Sequence, residues 1–199
     1  MTSHDQSARS VGILAFDSME ILDYAGPYDV FNVANTISGK PTFSVHAIGV
    51  KPGPIVGRGD FAVLPPTTIT ECTPPDILIV PGGPGTGPLV KDTEVIDWVR
   101  SAAENAELVV SVCTGALVLA AAGLLENRPA TTHHWAFEEL QSLTPSTTII
   151  RDQRFVQSSE KIWTSAGISA GIDLALHLVD QLTGTPVHDK VIAMLEWGW

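Results

Sequence analysis

The feature that most constrains the fold of this chain is the alternation of short apolar runs with amphipathic stretches. Such runs occupy residues 11–16, 76–80 and 108–112, and the last two are followed by segments with apolar residues at helical spacing. Strands that are apolar at every position are typical of a sheet buried on both faces. Strands alternating with helices favour parallel pairing, since each parallel connection needs a crossover. The sequence therefore predicts an α/β fold, a three-layer sandwich with a mostly parallel sheet.

Other segments complete this pattern. Residues 43–50 and 162–164 are predicted as strands, and residues 51–64 as a hairpin excursion between strands. A helix is expected to start around Asp23, Gly26 and Pro27. Further helices are predicted over residues 93–105, 114–125 and 170–181.

Length and composition predict one domain. The 199 residues are enough for a sizeable core. Charged residues make up only 17% of the chain, below the roughly 25% of an ordinary soluble domain, which indicates that much of the chain is buried. No change in composition marks a second domain. We expect a disordered tail over residues 1–10 and a single domain over residues 11–199.

The charge balance excludes several function classes. With 22 acidic and 11 basic side chains, the net charge is −11, which disfavours binding to nucleic acid or to an anionic membrane surface. No apolar run approaches the roughly 20 residues that span a bilayer, and the N-terminus lacks the apolar region of a signal peptide. Cys72 and Cys113 form neither a disulfide framework nor a metal ligand set. We therefore expect a cytoplasmic protein with no metal and no membrane partner.

Cys113 is the strongest candidate for a catalytic side chain. It lies between the predicted strand 108–112 and the helix that starts at Thr114, a junction where a tight turn can direct a nucleophile into a cleft. The N-terminus of a helix favours a thiolate over a thiol. A buried cysteine more often serves as a small apolar side chain, but Gly115 favours the catalytic interpretation because it permits close approach of a ligand or a backbone.

A glycine-rich loop follows the strand 76–80. It lacks the Gly-Lys-Ser/Thr pattern of a phosphate loop and the spaced glycines of a dinucleotide site. Phosphate binding is therefore disfavoured. The backbone N–H of Gly82 or Gly83 is predicted instead to stabilise an oxyanion or position an intermediate.

Asp23 and the histidines carry weaker signals. An aspartate before Gly-Pro most often caps a helix, and spacing alone favours that role for Asp23 over proton transfer near a thiolate. His133 and His134 are adjacent, and adjacent side chains of a strand point to opposite faces. We therefore expect no shared metal between them, with one histidine lining a pocket.

Four ordered segments of the chain resemble the DJ-1/PfpI superfamily. They are residues 22–31, 79–83, 110–133 and 164–173, and the resemblance extends over about residues 11–183. Within the superfamily, the sequence is most similar to the isocyanide hydratase (isonitrile hydratase) branch. The resemblance implies a flavodoxin-like α/β fold of the class I glutamine amidotransferase-like type.

The resemblance also assigns roles to residues. The nucleophile of the superfamily falls on Cys113, and the acidic residue that contacts it falls on Asp23, where glyoxalases and deglycases of the superfamily have glutamate. The threonine after the hydratase cysteine falls on Thr114, where PfpI-type proteases have histidine. The histidine of a Thr-Thr-His segment falls on His133, but this chain has a second histidine before the tryptophan, so the role of His133 is left open.

The implied activity is the hydration of an isocyanide to an N-substituted formamide by a cysteine-dependent lyase without a cofactor, acting as a homodimer. Two alternatives remain at this point. One is glyoxalase or deglycase chemistry with Cys113 and His133. The other is the ligand-sensing domain of an AraC-type regulator that lacks its DNA-binding half.

Overall fold

The computed structural model describes residues 8–198 and shows an α/β protein. Its strands are β1 (Arg9–Ala15), β2 (Phe43–Gly49), β3 (Ile55–Val56), β4 (Ala62–Val63), β5 (Thr67–Thr68), β6 (Ile77–Val80), β7 (Leu108–Val112), β8 (Pro129–Ala130), β9 (Thr148–Ile149), β10 (Phe155–Gln157) and β11 (Ile162–Ser165). Its helices are α1 (Ile21–Ser38), α2 (Thr86–Leu89), α3 (Thr93–Asn105), α4 (Gly115–Ala121), α5 (Phe137–Leu143), α6 (Ala170–Thr183) and α7 (Thr185–Leu195). Single 3-10 turns occupy Arg58–Asp60 and His134–Ala136.

Seven strands form the central sheet, in the order β10-β11-β7-β6-β1-β2-β5. All neighbouring pairs are parallel except β10 and β11. Helices α1, α6 and α7 pack together, and α4 packs with α2, α3 and α5. Strands β6 and β7 are buried at every position, which is why their sequences are apolar throughout. The predicted α/β fold with a mostly parallel sheet is confirmed.

Several predicted boundaries agree with the structure and others do not. The strand 108–112 and the helix 93–105 match β7 and α3, and the predicted hairpin contains the antiparallel pair of β3 and β4. Helix α4 ends at Ala121 rather than at residue 125 because Gly123 adopts a positive φ of 77°.

Helix α1 begins earlier in the chain than the sequence predicts. The helix begins at Ile21, and Pro27 lies inside it. The Glu20 N–H donates to Gly82 O at 2.8 Å, so a contact with a distant loop holds the chain where the helix begins. Asp23 consequently lies in the first turn, and no side chain caps the helix.

The predicted tail also needs a correction. Residues 1–7 lie outside the described residues, but Arg9 and Ser10 belong to β1. Ser10 donates its backbone N–H and its hydroxyl to the Asp76 carboxylate at 2.7 and 2.8 Å. This contact extends β1 by two residues on the N-terminal side of its apolar run.

Within the described part of the chain, no helix has both the length and the apolar character needed to cross a membrane.

Candidate active site

The topology brings several loops to one edge of the sheet. The chain passes from β1 to β2 and β5 on one side and then returns to add β6, β7 and β11 on the other side of β1. In open parallel sheets, ligands bind beyond the carboxyl ends of the strands at such a switch point. The segments that follow β1, β6, β7 and β11 all start at this edge, and they carry Asp23 in the first turn of α1, then Gly82, Cys113 and Gly167.

Cys113 occupies a sharp turn between β7 and α4. Its φ is 57°, a left-handed conformation that costs a non-glycine residue about 1–3 kcal/mol. Three hydrogen bonds hold the turn: Cys113 N–H donates to Ser165 O at 3.1 Å and to Ala166 O at 3.3 Å, and the Thr132 hydroxyl donates to Cys113 O at 2.8 Å. The predicted strand-to-helix elbow is present, and only 6% of the residue is exposed.

Gly115 allows α4 to start directly against the end of β6. A Cβ at this position would lie 2.1 Å from Val80 O, so no side chain fits. The close approach that the sequence predicts is therefore made by the protein backbone.

Asp23 lies beside Cys113 and is fully buried. Its Oδ2 accepts the Gly82 N–H at 3.0 Å, and the carboxyl interacts with the Cys113 thiol. Oδ1 is buried and accepts no hydrogen bond of normal geometry from the described residues. Asp23 is thus not a helix cap but an acidic group held against the thiol.

The two glycine N–H groups predicted to face an oxyanion are already occupied. Gly82 N–H is taken by Asp23, and Gly83 N–H donates to Thr114 Oγ1 at 2.9 Å. The Thr86 hydroxyl also contacts Thr114 Oγ1, at 3.2 Å. The oxyanion role is therefore corrected: the loop after β6 holds the side chains of Asp23 and Thr114 in place, because its N–H groups point at them.

Burial dominates the electrostatics of the site. It raises the pKa of the Asp23 carboxyl from 3.8 to about 7, against the opposing effect of the Gly82 N–H. Burial, followed by the charge of Asp23, raises the pKa of the Cys113 thiol. The Thr114 N–H and hydroxyl act in the opposite direction and stabilise the thiolate, as expected at the start of a helix, but their effect is the smaller one. With both pKa values raised, the pair retains at least one proton near neutral pH, and a single proton lies on the thiol, whose pKa is the higher of the two.

Cys113 opens into a cleft of about 620 Å³. This volume lies within the roughly 300–1,000 Å³ typical of small-molecule sites. Its lining is largely apolar and includes three residues that carry charge, Glu20, Arg58 and Glu139. The remaining lining residues are Gly83, Pro84, Thr86, Gly87, Cys113, Thr114, Leu117, His133, Trp135 and Ile168.

His133 lines this cleft, whereas His134 is exposed to solvent. The strand predicted for the pair is wrong: His133 precedes the 3-10 turn His134–Ala136, and the two rings lie 4.4 Å apart. His133 Nδ1 accepts the Trp135 N–H at 3.3 Å, and burial lowers the pKa of its imidazole. A neutral His133 at the cleft wall follows from both observations.

Gly167 also borders the site, although its place there was not predicted from the sequence. A Cβ at this position would lie 2.3 Å from His133 Cδ2 and 2.8 Å from Cys113 Sγ. The absence of a side chain therefore leaves space above the thiol. The signal available in the sequence was a glycine two residues after a buried strand.

An ion pair at the cleft was also missed. Arg58 Nη1 lies 2.7 Å from Glu20 Oε2, and both side chains line the cleft. The two residues are 38 positions apart, and no local pattern in the sequence associates them.

Comparisons with known proteins identify relatives of this chain. The chain is 38% identical over 190 residues to an isonitrile hydratase of Pseudomonas putida, covering 96% of this chain and 79% of that protein. It is 26% identical to the HTH-type transcriptional regulator GbdR of Pseudomonas aeruginosa, covering 96% of this chain but 51% of the regulator.

Among solved structures, a ThiJ/PfpI family protein from Pseudomonas syringae superposes with a TM-score of 0.86 at 26% identity, covering 96% of this chain and 76% of that one. The model of the DJ-1/PfpI family matches residues 9–181. This match takes in the strands, the elbow and the glycine loop that build the cleft. The chain therefore belongs to the DJ-1/PfpI family.

Proposed function

We propose that the protein is an isocyanide hydratase, which adds water to an isocyanide and releases an N-substituted formamide. The observation that carries this proposal is the contact between the Cys113 thiol and a buried Asp23 carboxyl that can hold a proton near pH 7. The identity to the Pseudomonas putida isonitrile hydratase supports it. The terminal carbon of an isocyanide accepts both a nucleophile and a proton, which are the two groups that this pair supplies.

In the first step, the Cys113 thiol passes its proton to Asp23, the thiolate attacks the terminal carbon of R–N≡C, and Asp23 donates the proton to that carbon. One C–S bond and one C–H bond form, giving the thioimidate R–N=CH–S-Cys113. A carboxyl group with a pKa near the working pH is effective at such a transfer, because it both holds and releases its proton readily.

In the second step, Asp23 acts as a base and a relay. Its carboxylate takes a proton from water as the oxygen adds to the thioimidate carbon, and it delivers this proton to the nitrogen. The adduct R–NH–CH(OH)–S-Cys113 then loses its hydroxyl proton to Asp23 and breaks the C–S bond. The products are R–NH–CHO, the thiolate and a protonated Asp23, and transfer of that proton to the sulfur returns the site to its initial state.

Other groups of the site stabilise the Cys113 thiolate and hold the substrate. Thr114 stabilises the sulfur anion through its N–H and hydroxyl, and the Gly83 N–H holds the Thr114 hydroxyl in place. The apolar cleft wall accommodates the substituent R.

The test is formamide production from an alkyl and an aryl isocyanide, measured for wild type, Cys113→Ala and Asp23→Asn. We expect product from wild type and none above background from Cys113→Ala. Asp23→Asn retains an acceptor for the Gly82 N–H but has no acid, so we expect a strong loss there too. Full activity in Cys113→Ala would contradict the covalent mechanism.

Two alternatives lead to different results in the same experiment. Glyoxalase chemistry, with Cys113 and His133, would give lactate from methylglyoxal and no formamide. A ligand-sensing domain, suggested by the match to a regulator, would bind small molecules in the cleft without turnover.

We also propose that two copies associate through the face formed by α1, α6 and α7. Leu22 and Tyr28 are 40% and 37% exposed there, and with Ile172 and Trp197 they line an apolar groove of about 390 Å³. Light scattering of purified protein tests this, with a mass near 42 kDa expected from two chains of 21.2 kDa. Tyr28→Glu should shift the mass toward that of one chain, because it would bury a charge in the interface.

A further inference from the structure

We propose that the ion pair of Glu20 and Arg58 controls how firmly the Cys113–Asp23 pair holds its proton, and so sets the pH range in which the site works. This inference rests on the proposed function for its kinetic consequence. Its structural basis is the placement of the two charges beside Asp23.

Glu20 and Asp23 are joined through one residue of the loop after β6. Glu20 N–H donates to Gly82 O at 2.8 Å, and Gly82 N–H donates to Asp23 Oδ2 at 3.0 Å. The Glu20 side chain is only 15% exposed, so solvent screens its charge weakly. Burial is the main cause of the raised pKa of Asp23, and the negative charge of Glu20 raises this pKa further.

Arg58 is attached to the same region by its backbone. Its N–H donates to Met19 O at 2.9 Å, and in the adjacent hairpin Gly57 N–H donates to Phe61 O at 2.7 Å. The guanidinium therefore reaches Glu20 from a turn that is itself hydrogen-bonded to the residue before Glu20. Because the Arg58 side chain is 63% exposed, it offsets the charge of Glu20 only in part.

The other ionisable groups of the cleft come from different elements. Cys113 reaches Asp23 from the elbow after β7, and its thiol takes part in the shared proton. His133 and Glu139 line the cleft from the segment around α5, and burial lowers the pKa of His133. Among the described residues outside the proton-sharing pair, Glu20 is the ionisable side chain whose charge acts on Asp23.

The two members of the ion pair should therefore act in opposite directions. Removing the negative charge with Glu20→Gln makes the shared proton easier to lose, so the alkaline limb of the kcat/KM profile moves to lower pH. Removing the positive charge with Arg58→Gln leaves Glu20 uncompensated, so the same limb moves to higher pH. We expect shifts of about half a pH unit, which is the order of the pKa change that one partly screened neighbouring charge produces.

The experiment has two readouts. The first is the pH profile of isocyanide hydration. The second is the pH dependence of Cys113 alkylation by iodoacetamide in a Cys72→Ala background, which needs no turnover. If wild type does not hydrate isocyanides, the proposed function fails while the alkylation profiles still test the ion pair.

Three variants serve as controls. Arg58→Lys keeps the charge and should retain the wild-type profile. Asp60→Asn changes an exposed charge on the same turn and should leave both profiles in place. Thermal unfolding of each variant verifies that it is folded. Shifts in the same direction for Glu20→Gln and Arg58→Gln, or no shift in either readout, would overturn the proposal.

Discussion

The two cysteines of this chain show what the fold adds to a thiol. Cys113 lies at the carboxyl end of a central strand, with a φ of 57° and a buried carboxyl beside it. Cys72 follows the edge strand β5, where its N–H donates to Thr68 O at 2.9 Å and its thiol contacts Trp98. Burial is the largest cause of a raised thiol pKa at both positions, so burial by itself does not distinguish them.

The difference lies in what each thiol faces. Cys113 faces an acid that can donate a proton and a cleft that can hold a substrate, whereas Cys72 faces an aromatic side chain. The two positions therefore separate the general effect of an enclosed thiol from the specific effect of the Asp23 partner. The predictions below test that separation.

The largest expected effect is the contrast between alanine variants of the two cysteines. Cys113→Ala should lower kcat/KM for isocyanide hydration by roughly 10³-fold or more, as removal of a nucleophile does. Cys72→Ala should stay near wild type, since Cys72 lies outside the cleft lining. Steady-state kinetics of both variants test this, and an equal loss in both would remove the distinction.

The burial of Asp23 should lower the stability of the folded protein at high pH. The unfolded pKa is 3.8 and the folded pKa is about 7, so the folded state binds the proton more tightly. The contribution of Asp23 to the free energy of unfolding is therefore most favourable below pH 3.8 and declines as the pH rises from 3.8 to about 7. Above pH 7 it is lower by roughly 4 kcal/mol at most.

Thermal unfolding of Asp23→Asn measures this effect. The variant should gain more in Tm relative to wild type at pH 8 than at pH 5, because the asparagine has no charge to bury. Asp152→Asn, at an exposed position outside both the cleft and the groove of α1, α6 and α7, is the control and should show no comparable difference in Tm between the two pH values. An equal gain for Asp23→Asn at both pH values would contradict the raised pKa.

Filling the space above the Cys113 thiol should reduce activity by an intermediate amount. The added methyl of Gly167→Ala would lie closer than van der Waals contact to both Cys113 Sγ and the His133 ring, at 2.8 and 2.3 Å, so the groups around the thiol must shift. We expect kcat/KM to fall about 10- to 100-fold, in line with the cost of misplacing reacting groups. Wild-type kinetics in a folded Gly167→Ala protein would show that this space is not used.

The smallest effect is expected from the Thr114 hydroxyl, next to Cys113. Thr114→Val removes the acceptor of the Gly83 N–H and one of the groups that stabilise the thiolate. Leaving such a donor unpaired costs about 1–3 kcal/mol, and we expect roughly a tenfold loss in kcat. Thr114→Ser keeps the hydroxyl and should recover most of the rate, whereas equal rates for valine and serine would assign the threonine a packing role.

Local patterns in the sequence were sufficient for most of the fold. The apolar runs of β6 and β7 and the helical spacing of α3 are properties of neighbouring residues, so they predict elements directly. The elbow at Cys113 could also be located, since it depends only on a strand followed at once by a helix. The antiparallel edge strand β10 and the helix α7 have no comparable signal and were not predicted.

The site itself depended on contacts between distant residues. By spacing, Asp23 was expected to cap a helix, and the resemblance to a family was needed to place it near Cys113. The Gly82 and Gly83 N–H groups were expected to face a ligand, but the fold turns them toward Asp23 and Thr114. Such partners cannot be read from spacing because they lie 31 to 59 positions apart.

The sequence by itself determined the main alternation of strands and helices and the position of the elbow at Cys113, because periodicity and turn residues act over a few neighbours. Only the tertiary structure decided that Asp23 meets Cys113, that Gly167 leaves space above the thiol, and that Glu20 pairs with Arg58. Parallel pairing brings the carboxyl ends of non-consecutive strands to one edge of the sheet, and burial there gives Asp23 a pKa near 7. Strand pairing and burial both depend on distances between residues that are far apart in the sequence, and local sequence patterns do not specify those distances.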